Sequence, residues 1–333
     1  MVDFNPLTHA FSTHPEFGEY RLTDHLPMAA FALGQLGATD ERIRQFAAKY
    51  RIGLEPASIQ SGNIANDDVL CLLGKASNYN RYLRYYHQQI EDFGSANALR
   101  RYLQTLANGL CSRAFHGAIR TAYGVDSDNH VEIAAGLAYW SDTLEVINVD
   151  PDTSAKTANL PIVDQLDVYS SVIAPVADSV ASYGNSISER MAYVAALPDL
   201  LPLLRGSAAT PGLTLSAIAG VALRIYLSTS DFTALHCVTG THSIRVLEPF
   251  FDDTKSTLST LWVGICMAYC AIGAPKTFEP QCAREPCSWD TIKRAAIRSI
   301  DDHDIKFVYS CLKEEGVYGT DLYRRAAALR MGM

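Results

Sequence analysis

Residues 232–247 read FTALHCVTGTHSIRVL, and the fold turns on how that stretch is read. Phe232, Leu235, Thr239 and Ser243 recur at helical spacing, and the remaining positions are largely apolar. A helix that is apolar on most of its surface belongs inside a large core. Two histidines interrupt this one. At about 100° per residue, His236 and His242 stand roughly 120° apart, flanking the stripe. Both can face one cavity only if it is broad, or if Gly240 loosens the helix.

The same periodicity spreads in both directions. Towards the N-terminus it predicts helices over 40–50, 79–93, 131–144, 163–176, 188–204 and 213–227, and one long or two joined helices over 96–123. Towards the C-terminus it predicts 257–272, 289–300, 303–315 and 320–330. The first helix should be capped by Thr23, with Asp24 in its first turn, Met28, Phe31, Ala32 and Leu36 facing inward, and Gly37 as its stop. Only 146–149 is β-like. The expectation is therefore an all-α chain: a single large helical bundle over residues 1–333 with little or no β structure. Residues 150–161 mark a possible internal boundary.

Composition is consistent with this. The chain has 333 residues, 48% hydrophobic and 19% charged, enough apolar material for a sizeable core. The net charge of −8 is spread along the length, which argues against a nucleic-acid partner. The first residues lack the basic start and apolar core of a secretion signal. The apolar runs 213–227 and 261–274 fall short of the ~20 residues of a membrane span. A soluble, cytoplasmic protein is expected. Cys71, Cys111, Cys266 and Cys311 sit in apolar helical stretches as small hydrophobes. No CxxC pair occurs, so Cys266/Cys270 and Cys282/Cys287 make a weak zinc signal.

The usual catalytic signatures are missing: no GxGxxG after a strand, no phosphate-binding loop, no GxSxG and no HExxH. What remains is histidines inside apolar helices. His116 has Arg120 one turn on, and a cation there favours the neutral imidazole that binds metal. His25, in the first turn of the first helix, meets the positive end of the helix dipole to the same effect. His303 and Lys306 share a face at i, i+3, the spacing of ligand pairs in metal-bearing bundles. Lys306 is followed by apolar residues and should enter the interior, where lysine is rare unless paired or chemically used. The plain alternative for each histidine is a hydrogen-bonded core residue, and for Lys306 a salt bridge to Asp302 or Glu189. His9, His14, His87 and His130 read as surface or structural residues.

Five motifs, in order, carry a resemblance. Asp24-His25-Leu26-Pro27-Met28, Ala114–Tyr123 around Phe115-His116-Gly117, Leu137-Ala138-Tyr139-Trp140, Leu235–Arg245, and Asp302-His303-Asp304-Ile305-Lys306-Phe307 together resemble the questin oxidase-like family. The resemblance implies an oxidoreductase that uses dioxygen to oxidise or open the ring of polyketide-derived aromatics. It also implies a non-haem iron, Fe(II), held by several histidines and a carboxylated lysine. Carried over, the ligands are His25, His116, His236 and Lys306, with either His242 or His303 as the remaining histidine. Arg120 and Arg245, each beside a histidine motif, are candidates to stabilise a phenolate or developing enolate, or else are structural ion-pair partners. NADPH use is described for some members, but no residue here forms a nucleotide fingerprint. The expected partners are a small aromatic substrate and dioxygen. Two other readings stand beside this one: a metal-free helical protein binding an apolar ligand, and an inactive member serving as a partner subunit.

Overall fold

The computed structural model describes residues 16–17, 22–55, 62–66, 68–277 and 287–333. Two two-residue strands, β1 (Glu16–Phe17) and β2 (Leu22–Thr23), pair antiparallel with Glu16 opposite Thr23. Helices follow: α1 (Leu26–Leu36), α2 (Asp40–Arg51), α3 (Tyr79–Phe93), α4 (Ser95–Leu106), α5 (His116–Asp126) and α6 (His130–Asp142). Next come α7 (Ile162–Ile173), α8 (Ala177–Ala181), α9 (Ile187–Ala195), α10 (Leu201–Ala208), α11 (Leu215–Thr229) and α12 (Phe232–Leu247). The last are α13 (Thr254–Ala271), α14 (Trp289–Arg298), α15 (Asp302–Tyr318) and α16 (Leu322–Arg330). The fold is all-α. No helix among the described residues is long and apolar enough to cross a membrane.

Helix α12 runs over the stretch that the apolar periodicity marks out. It is buried along most of its length, with Asp231 accepting from the Thr233 N–H as its N-cap. Helices α5 and α6 form the tightest pair. A Cβ on Gly124 would lie 2.5 Å from the Ile133 nitrogen, and one on Gly136 2.5 Å from the Thr121 nitrogen. Only hydrogen fits at either crossing point. On the far side, Phe115 packs against Gly240 of α12, where an added Cβ would come within 2.9 Å of its ring.

Several expectations are corrected. The first helix starts at Leu26, not at residue 24. Thr23 belongs to β2, and Asp24 instead accepts from the Leu26 N–H at 2.8 Å, which leaves His25 at the cap position. The predicted 96–123 segment is broken. It passes through a 3₁₀ turn at Ala107–Gly109 and then a left-handed run at Arg113, Ala114 and Phe115 (φ 50°, 53° and 67°) before α5 begins at His116. The predicted 188–204 helix is two, α9 and α10: Pro198, which lacks an N–H, lies in the break between them, and Pro202 sits in the first turn of the new helix. Residues 146–149 form no strand. The segment 150–161 is irregular but held down: the Thr157 hydroxyl donates to the Leu203 carbonyl at 2.7 Å. Cys71 is exposed in a turn rather than packed in a helix. His9, His14 and Cys282 lie outside the described residues.

Candidate metal centre

Four imidazoles meet where the N-terminal ends of α1, α5 and α15 reach the first turns of α12. His25 stacks on His116 with ring centroids 4.9 Å apart and planes 11° from parallel. His303 lies edge-on to His25 at 4.9 Å, and His236 is 5.0 Å from His116 and 5.5 Å from His303. Nitrogen atoms of His25, His116 and His303 all lie within 4.8 Å of one another, close enough for one ion. His236 closes the ring of side chains, and Phe232 flanks it edge-on at 4.7 Å.

The ring tautomers are set by what the Nδ1 atoms touch. His236 Nδ1–H donates to the Phe232 carbonyl at 2.8 Å, and His116 Nδ1–H to the Arg113 carbonyl. Both rings therefore present an unprotonated Nε2. His25 Nδ1 lies 2.5 Å from the Asp302 carboxylate, and its Nε2 is buried without a hydrogen-bond partner. A buried ring nitrogen with no partner is costly unless something fills the position. Metal-bound histidines carry this same outer arrangement, with the other nitrogen donating to a carbonyl or carboxylate. The donor set thus fits a borderline divalent metal such as iron(II).

Lys306, one turn beyond Asp302 on α15, is buried and places its Nζ 3.1 Å from Asp302 and 2.7 Å from His25 Nδ1. One ring nitrogen cannot both donate to Asp302 and accept from a lysine ammonium. Nδ1–H to Asp302 satisfies His25 and leaves Lys306 dependent on the same carboxylate. Burial pushes the Lys306 amine below its ordinary range, opposed first by Asp302 and then by Asp301 and Asp24. Burial likewise lowers His25 to about 4, helped by Lys306 and opposed by Asp302. His116 and His236 fall well below the usual histidine value for the same first reason, reinforced by their neighbouring rings. Burial raises the Asp302 carboxyl, yet Lys306 and His25 outweigh it and hold the group well below the carboxylate range. Three neutral imidazoles beside one fixed carboxylate are prepared for a cation.

His303 and His242 part company here. His242 points to a different polar cluster, where its Nδ1 is 2.6 Å from Glu314 and its Nε2 3.8 Å from Asp126. Arg245 pairs with the same Glu314 at 2.7 Å, and Tyr309 donates to Asp126 at 2.8 Å. Arg120 is also engaged elsewhere: it forms a fully buried pair with Glu132 at 3.1 Å and does not figure among the groups that shift His116. Arg120 and Arg245 are therefore placed as ion-pair partners, not on the cavity wall. His242→Gln should leave metal content unchanged, while strain on the buried Glu314 lowers stability by about 1–3 kcal/mol. Metal analysis and a urea melt of the variant measure both, and lost metal would move His242 into the centre.

In front of the histidines lies a cavity of about 320 Å³, within the range of small-molecule sites. Besides the four rings and Asp302, its wall includes Tyr50, Tyr139 and Phe232 and two cations, Arg113 and Arg190. A questin oxidase-like family model matches residues 22–200, more than half of the chain. The chain belongs to the questin oxidase-like family. The family's name is that of oxidases, which suggests an oxidoreductase. The matched span holds His25 and His116, whereas His236, His303 and Lys306 lie beyond it and reach the cluster through α12 and α15. No curated protein matches the chain.

Arg113 is a site residue that the sequence does not single out, and Asp302 is one that it names only as a salt-bridge partner for Lys306, four residues on. Arg113 carried no signal, because its place depends on the left-handed turn.

Proposed function

We propose that the chain is an oxygen-dependent oxidoreductase that oxidises or ring-opens an aromatic or quinone substrate at a non-haem iron held by His25, His116, His236 and His303. The observation that carries this reading is the unpartnered, buried His25 Nε2 in a cluster with two rings, His116 and His236, whose Nδ1 atoms are tied to backbone carbonyls. Iron(II) held there would supply the electron transfer to dioxygen that side chains cannot. Every other part falls to the chain. Asp302 fixes the His25 tautomer, and the carbonyls of Arg113 and Phe232 orient His116 and His236. Tyr139 and Phe232 offer flat surfaces to a planar ring, and the cavity limits water around it.

Lys306 takes the role of a fifth ligand after carboxylation. Its amine lone pair attacks carbon dioxide, a nitrogen–carbon bond forms, one N–H proton leaves to solvent, and a carbamate anion results. Its oxygens suit iron(II) as a carboxylate does. The close approach of Lys306 Nζ to both His25 Nδ1 and Asp302 is what that reaction would relieve.

The test is metal content and oxygen uptake. Protein purified without an affinity tag should hold near-stoichiometric iron, or take it up anaerobically as iron(II). It should then consume oxygen with hydroxylated anthraquinones or simpler phenols. Failure to retain any metal after reconstitution would overturn the proposal and leave a binding protein for apolar ligands. Metal without oxygen uptake across the substrate panel would favour the partner-subunit reading.

A further inference from the structure

We propose that the cavity in front of the histidines receives its substrate as an anion, with an ionised acid group clamped by Arg113 and Arg190. The inference deepens the function proposed above by naming a substrate class, and its test does not depend on the metal.

Arg113 is set by the left-handed turn. The turn sends its carbonyl to His116 Nδ1 and its side chain to the cavity wall, so one distorted residue serves both the histidine and the space before it. Three consecutive non-glycine residues at positive φ are unusual, since L-residues visit this region singly and at a cost. Such distortion concentrates at functional sites. The guanidinium is under-used where it stands. Its Nε is buried without a hydrogen-bond partner, and Nη2 is 3.6 Å from Glu145, beyond a hydrogen bond. The Glu145 side chain is 55% exposed, so water and salt screen that attraction. Glu189 also feels the Arg113 charge, but it is fully exposed and its carboxylate is taken by Asn185 and Ser186 N–H groups.

Arg190, on α9, adds a second positive charge to the same wall. Among the described residues it has no carboxylate within ion-pair distance and no side-chain hydrogen bond. The one carboxylate on the wall among those residues is Asp302, already shared by His25 and Lys306. A protein of net charge −8 thus presents two under-compensated guanidinium groups to a cavity whose described wall holds a single carboxylate. Guanidinium groups bind carboxylate and phenolate oxygens through paired, charge-assisted hydrogen bonds. Held this way, an aromatic acid has its ring fixed against the histidine face, which is the positioning a ring oxidation needs.

The probes are 2-naphthoate and its uncharged methyl ester, titrated calorimetrically into the full chain at pH 7.5, as purified and after chelation. The acid should bind at least tenfold more tightly than the ester in both forms, as two charge-assisted contacts allow. Arg113→Gln/Arg190→Gln should abolish that preference. Arg190→Gln alone, on a partly exposed helix face where folding is safe, should reduce it several-fold. Equal affinity for acid and ester, or a preference that survives the double substitution, overturns the proposal. So does a preference lost on chelation, because the carboxylate would then have been a metal ligand. The acid–ester comparison and the arginine substitutions are read in the chelated protein as well as in the protein as purified, without turnover, so the metal reading stands or falls separately.

Discussion

His116→Ala is expected to empty the metal centre, lowering affinity by well over the ~10–100-fold that loss of an outer-shell partner costs. His116 is the ring that both neighbours lean on, stacked with His25 and 5.0 Å from His236. Deleting it removes a donor and leaves the His25 ring without its stacking partner. Asp302→Asn is the graded companion. The amide keeps the shape but no longer offers a full charge to His25 Nδ1–H and Lys306, so affinity should fall by about 10–100-fold with the rings still in place. Plasma mass spectrometry on dialysed protein gives occupancy, and competition with a chelator of known strength gives the affinities. The order matters more than any single value: wild type above Asp302→Asn, and Asp302→Asn above His116→Ala. If His116→Ala holds metal as wild type does, the ion is bound elsewhere or not at all.

The sequence carried much of this site and missed the part made by irregular backbone. Helical periodicity located α3 and α12 outright, and it placed His303 and Lys306 on one helix face because i, i+3 neighbours must share one. It could not choose between His242 and His303. That choice depends on which neighbours pack beside each face of α12, and here Glu314 and Asp126 claim His242. Arg120 is the instructive error. Its i+4 spacing from His116 is real, but Glu132 on the next helix takes its charge away. The His116 shift comes instead from burial and from other rings. Spacing within a helix shows which residues share a face, not which partner that face meets.

The left-handed turn at Arg113–Phe115 was the least legible feature, because nothing in Arg-Ala-Phe signals positive φ. Each such residue costs roughly 1–2 kcal/mol, so the surroundings must hold the turn in place. They do so by packing. Phe115 is buried against Gly240, and Cys111 lies where a Cβ on Gly264 would have to go. Two glycines on neighbouring helices therefore make room for the turn that orients His116 and Arg113. Gly240 reads in the sequence as a possible looseness in α12. Its role is to let another chain segment approach closely.

Acidification should unfold the metal-free protein over a defined window. His25, His116 and His236 all have folded pKa values below the ordinary histidine value, so across that interval the unfolded chain binds more protons than the folded one. Stability is then greatest above about pH 6.5 and falls as the pH drops towards the folded values, near 4 for His25. Between pH 7 and 5 keeping the His25 imidazole neutral costs about 2 kcal/mol, from the linkage relation with an unfolded pKa near 6.5 and a folded one about 4, and His116 and His236 add to the loss in the same direction. Asp302 does not offset it: its folded carboxyl lies low, so its stabilising contribution is lost only at pH values below this window. Urea melts of the chelated protein at pH 7, 6 and 5 should show the midpoint falling, and His116→Gln/His236→Gln should flatten the slope. A saturating metal should hold the midpoint up at pH 7 and lose its grip towards pH 5, since protons and metal compete for the same nitrogens. A midpoint that does not move across this range in the chelated wild type would mean the rings take up protons in the fold as freely as in the unfolded chain, and so are charged together by pH 5. A cluster of charged imidazoles would be no place for a cation.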